Sequence, residues 1–216
     1  MKRSICLILL SLLCVSVFAQ KKKDALVLYQ HKNYKEAIAV CEEELRADPN
    51  RVEAFVVLCW SLIGNGEYPR AEQRAYDGLK LARYDIRLIE VLGEAKYYQG
   101  KNEEALKQFQ EYISIAPDRT GDRVDVAYYF MGEIYIRQTK FQHADIALSA
   151  AVRKRPLSDV WWTRLGYARE QAGNYAESLT AYEEALKLNP SKTDAIRGKE
   201  RVQEHTRYIN QLIENS

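Results

Sequence analysis

Small residues recur along this chain at a nearly constant interval, and that interval constrains what it can fold into. Ala25, Cys59, Gly93, Gly132 and Gly166 stand 34, 34, 39 and 34 residues apart. Ala37, Ala71, Ala105, Ala144 and Ser178 repeat the same steps 12 residues later. A period in this range marks a helical repeat array, built from helix–turn–helix units that cannot bury an apolar face alone. Small residues on both helices are what a close crossing demands, since larger side chains would push the pair apart. Phe55 and Leu58, Ile89 and Leu92, Tyr128 and Met131, and Trp162 and Leu165 flank these sites, giving each first helix a core stripe. Lys32-Asn33, Gly64-Asn65-Gly66, Gly100-Lys101-Asn102 and Gly173-Asn174 are turn signals between helices. Pro49, Pro117, Pro156 and Pro190 end second helices, whereas Pro69 opens one, where its missing N–H is no loss.

The residues beyond the period fall at 119–123. Asp118, Asp122 and Asp125 lack the spacing and the closing Glu of a calcium loop, so a longer inter-repeat loop with helix-capping Asp is expected. Residues 193–214 read as one long helix with Ile196, Val202, Ile209 and Leu212 on its apolar side. Such a helix caps the open end of a stack.

Residues 1–19 have the pattern of a secretory signal peptide: Lys2 and Arg3, an apolar run, then Val17-Phe18-Ala19 ahead of Gln20. The run from Ile5 to Ala19 is shorter than the roughly 20 residues a span requires, so no integral membrane segment is expected in the mature chain. Leu13 before Cys14 argues against lipidation there. Lys plus Arg number 32 against 30 Asp plus Glu, and taking off Lys2 and Arg3 makes them equal. That balance excludes a general nucleic-acid binder, which needs a basic face. Lys21, Lys22 and Lys23 read as a solvated tail. Outside the leader the cysteines are Cys41 and Cys59. They form either a disulfide, which export would permit, or two small buried apolar residues on core sites of the pattern.

The stretch Trp162-Thr163-Arg164-Leu165-Gly166, then Gly173-Asn174-Tyr175, Ser178, Tyr182, Ala185 and Pro190 resembles the tetratricopeptide repeat (TPR) family almost site by site, with Ser178 for the usual Ala. Gly93 to Pro117 and Gly132 to Pro156 match well. The first two copies are looser, with Cys41 and Ala75 where an aromatic is usual. The resemblance implies an all-α, right-handed α-α superhelix of about five repeats (20–50, 52–85, 86–119, 125–158 and 159–192) with a capping helix at 193–214. It also implies a concave groove lined by the first helices.

His31, His143 and His205 are widely separated, and no nucleophile elbow, P-loop or dinucleotide fingerprint occurs, so no catalytic site, metal or cofactor is expected. Residues rotated off the core stripe of each first helix are expected to face the groove. Trp60, Tyr97, Tyr129 and Tyr167 would form an aromatic row, and Glu90, Glu94 and Glu133 an acidic middle suited to a basic partner. The reading is a non-catalytic adaptor of the bacterial periplasm that holds a peptide or helix of another protein. A structural subunit of an envelope machine and an accessory of a periplasmic solute transporter are the alternatives. Oligomeric state stays open.

Overall fold

A computed structural model describes residues 24–116 and 123–215, and among them every regular element is a helix. Five hairpins follow one another: α1 (Ala25–Gln30) with α2 (Tyr34–Ala47), α3 (Val52–Gly64) with α4 (Tyr68–Leu81), α5 (Ile86–Tyr98) with α6 (Asn102–Ile115), α7 (Val124–Arg137) with α8 (Phe141–Lys154), and α9 (Asp159–Gln171) with α10 (Tyr175–Leu188). The last helix, α11 (Thr193–Glu214), packs on α10 and α9. The architecture is an all-α solenoid with a C-terminal cap. The leader at 1–19, Lys21 to Lys23 and the loop residues Asp118, Arg119 and Asp122 lie outside the described residues.

Each hairpin turns in the same way. Lys32, Gly66, Gly100, Thr139 and Gly173 all have positive φ, between 57° and 82°. In the first, the Lys32 N–H donates to the Tyr29 carbonyl and the Asn33 N–H to that of Leu28, which closes the helix with its left-handed residue. The other four turns repeat this pair of bonds, down to Gly173 on Glu170 and Asn174 on Arg169. Three of the five use glycine, which bears no penalty there. Starts are less uniform: Asp24, Asp85 and Ser158 cap α1, α5 and α9 through side-chain oxygens.

The helix crossings fall on the small residues. A Cβ on Gly93 would stand 2.7 Å from Phe109, one on Gly132 2.5 Å from Leu148, and one on Gly166 2.7 Å from Tyr182. Ser178 donates to the Gly166 carbonyl at 2.7 Å, so its hydroxyl is satisfied where the pattern usually has Ala. Each first helix also packs closely on the first helix of the next repeat, whereas the backbones of successive second helices stay farther apart. First helices therefore lie on the inside of the curve and form the concave wall.

Candidate functional site

The concave wall carries a train of aromatic rings. Tyr29 stacks on Trp60 with ring centroids 5.7 Å apart, and Tyr34 leans on Tyr29 at 5.9 Å. Tyr68 and Tyr98 stack at 4.6 Å, and Tyr129 stacks on Trp161 at 5.3 Å. Half-buried Tyr167 meets Phe141 edge-on. Tyr97 differs from what its spacing suggested. It is 7% exposed, packed on Phe130, and covered by Arg137, whose guanidinium carbon is 3.9 Å from the ring centroid. The neighbouring Tyr98, 44% exposed, is the residue of that pair open to a partner. The indole N–H of half-buried Trp60 has no acceptor among the described residues.

The acidic middle is corrected by the structure. Glu90 is 3% and Glu94 6% exposed, and Arg123 reaches both from the start of α7, at 3.0 Å and 2.7 Å. Burial, and then the charge of Glu94, push the Glu90 carboxyl well above the usual range. Glu133 accepts from Arg164 at 2.5 Å. These acids bind arginines of their own chain and present no open anionic surface to a basic ligand.

Those contacts belong to a series. Arg87 grips Glu53 with two hydrogen bonds of 2.8 and 2.9 Å. Arg201 grips Glu170 with two of 2.7 and 2.8 Å, and the Tyr182 hydroxyl donates to the same carboxylate. At four successive junctions, an acid on one first helix is held by an arginine that follows it by 29 to 34 residues. Only Glu53 and Arg87 stand at the 34-residue repeat spacing, and the other pairs are 29 to 33 residues apart. A fixed step along the sequence therefore does not reveal the series, and Arg123 in addition comes from the segment that breaks the period.

Cys41 and Cys59 are free, buried thiols. Burial pushes the Cys41 thiol up to about 12, and the Cys59 thiol donates weakly to the Ala71 carbonyl. Of the two readings open at the sequence level, the structure has the buried apolar one. His143 packs on Tyr135 and His205 on Tyr175, while His31 bonds the Val27 carbonyl. Val56 and Thr163, which also lie off the core stripe of their helices by spacing, are buried, and the Thr163 hydroxyl donates to the Asp159 carbonyl.

Tetratricopeptide repeat family models match residues 92–119 and 160–192, the third and fifth of the hairpins just described. The chain is a tetratricopeptide repeat protein. Among curated relatives, this TPR chain is 24% identical over 134 residues to a DnaJ homolog subfamily C member 7 homolog of Schizosaccharomyces pombe, a match covering 62% of this chain and 22% of that protein. A second curated relative is covered to 33%, so the chain spans a third or less of either. Among solved structures, PilF of Pseudomonas aeruginosa superposes with a TM-score of 0.73 at 15% identity, covering 85% of this chain and 81% of that one. YrrB, described as a TPR protein with an unusual peptide-binding site, superposes with a TM-score of 0.64 at 16% identity, covering 84% and 95%. At such identities these likenesses speak for the TPR fold alone.

Proposed function

We propose that this protein is an exported, non-catalytic adaptor that holds an extended or helical segment of another protein against the aromatic part of its concave wall. The observation that carries the reading is the Trp60 indole, half-buried between repeats with a donor that no described residue satisfies. That N–H is closed to solvent, so a ligand carbonyl reaches it only with a small side-chain movement, which the gain from satisfying a buried donor favours. Tyr29, stacked on that indole, and open Tyr98, backed by Tyr68, offer rigid ring faces with polar tips around it. Both tyrosines lie within electrostatic reach of Glu94 and Arg123, so one patch gathers them. Such surfaces suit peptide recognition, and an adaptor role agrees with the TPR fold. Export rests on the leader pattern at 1–19, and the bacterial periplasm is the destination proposed.

The test is affinity capture by the mature protein from its native source, beside a Trp60→Ala, Tyr98→Ala variant checked for folding by circular dichroism. Wild type should retain a partner that the folded variant loses, and equal retention by both overturns the groove assignment. A finer variant is Trp60→Phe, which keeps the stacking surface and removes the N–H. Affinity measured by calorimetry should fall about tenfold, the worth of one hydrogen bond to a buried donor, with thermal stability unchanged or raised. Mass measurement of the native protein checks cleavage after Ala19.

A further inference from the structure

The carboxyl-terminal end of the concave wall differs from its middle. A cavity of about 340 Å³ opens there, lined by residues of α9, α10 and α11 that include Arg164, Tyr167, Asp194, Arg197 and Arg201. Two of its three guanidiniums are already oriented by the chain itself. Arg164 donates through Nε to Glu133, and no described residue accepts from its terminal nitrogens. Its guanidinium carbon lies 5.4 Å from the centroid of the Tyr167 ring. Arg201 is clamped by Glu170. Arg197 precedes Arg201 by one helical turn, which puts both on one face of α11, and Arg197 is exposed with no acid partner among the described residues. Farther back along the wall, the acids that would attract a basic ligand are buried and engaged. The charges of Arg164 and Arg201 are balanced by Glu133 and Glu170, but their outward N–H groups and those of Arg197 remain, and the sole carboxylate in the cavity lining is Asp194.

We propose that this cavity receives a run of two or more acidic side chains from the bound segment, with Arg197 and the outward edges of Arg164 and Arg201 as donors. The proposal rests on the groove reading above and specifies the partner's chemistry at one end of it. Three guanidiniums offer more N–H groups than one carboxylate can accept, which is why a run of acids fits better than a single chain terminus. Pre-oriented guanidiniums lose little freedom on binding, which favours affinity. Asp194, together with Glu133 and Glu170 behind the two clamped arginines, opposes the incoming charge and sets an upper limit on the attraction.

The test uses a random dodecapeptide library displayed with both peptide ends fused, so that no free terminus is present, selected on the purified chain. Wild type should enrich sequences with clustered Asp and Glu. These binders should weaken at least tenfold on Arg197→Glu, tighten about threefold on Asp194→Asn, and weaken as salt is raised. Binders that need Trp60 but carry no acid, or that tolerate Arg197→Glu, overturn this proposal and leave the groove reading standing. Enrichment of Lys and Arg overturns it as well. Recovery of no binder at all sinks both, and acid-dependent binders indifferent to Trp60→Ala sink the groove reading alone.

Discussion

Thr139 and Glu90 are two residues held in conditions their chemistry disfavours. Thr139 has a φ of 57° at a turn where three of the other four repeats place glycine. A β-branched side chain is strained there by about 1 to 2 kcal/mol. Thr139→Gly is therefore expected to stabilise the protein by up to about 1 kcal/mol once the greater freedom of glycine in the unfolded chain is subtracted, read as a higher urea midpoint. Glu90 is buried beside Glu94 and faces Arg123, with Asp125 close enough to push its carboxyl further up. Because its folded pKa is raised, its contribution is fully present below the ordinary carboxyl value near 4.5. That contribution is lost as pH rises through the folded value. Wild type should thus lose stability as pH rises above the ordinary carboxyl range, by a route that Glu90→Gln removes, leaving a flatter profile of urea midpoint against pH. Parallel profiles would show that Glu90 carries no proton to lose. Glu72 and Asp85 act at the other end. Burial raises both, yet hydrogen bonds to Glu72 from Lys101 and Gln99, and to Asp85 from Arg87, outweigh it and hold them below their usual range. Their stabilisation is complete above the usual carboxyl range and lost only as pH falls through the lowered values, outside that window.

Pairs of helices are set by volume at their crossing. Gly132 lets α7 approach α8 until a Cβ would reach the Leu148 side chain at 2.5 Å, and Gly93 stands likewise against Phe109. Gly132→Ala forces that contact apart and is expected to destabilise by roughly 1 to 3 kcal/mol, measured by thermal or urea unfolding. The crossing was visible in the sequence, because a small residue at the repeat spacing is a local signal. The junction between the third and fourth hairpins was not. There α6 meets α7 less extensively than other successive hairpins meet, and Arg123 supplies a tie from the start of α7 back to α5. Its backbone N–H donates to the Tyr112 hydroxyl at 2.9 Å, which fixes where the side chain begins. Arg123→Ala leaves the buried Glu94 carboxylate without a cation, beside the buried Glu90 carboxyl. A loss of about 2 kcal/mol is expected, below the 3 to 5 of a fully buried pair because the guanidinium is partly exposed. Recovery in Arg123→Ala with Glu94→Gln, by double-mutant cycle, would show that the loss comes from the orphaned charge.

Across the whole molecule, stability is close to a sum of hairpins and junctions, and an end left open exposes apolar surface. The cap α11 covers Tyr182 and Ala185, both buried, and lays Gly198 directly over the Tyr182 ring. Arginine–glutamate contacts run along the concave wall from Glu53 to Arg201, each joining neighbouring repeats. They restrain the curve rather than display charge. Much of the architecture could be read from the residues alone: the hairpins, their crossings, the turns at Gly66, Gly100 and Gly173, and the capping helix. Each depends on side-chain volume, backbone freedom or helical spacing within a few turns of chain, and periodicity records such local constraints. Tertiary structure decided the rest. It buried Tyr97 and left Tyr98 open, gave Glu90 and Glu94 to Arg123, and left Cys41 and Cys59 as free, buried thiols. Those outcomes depend on how far one repeat rotates against the next and where an aperiodic loop places its last residue. Burial and charge pairing are settled by that geometry, which no single repeat contains.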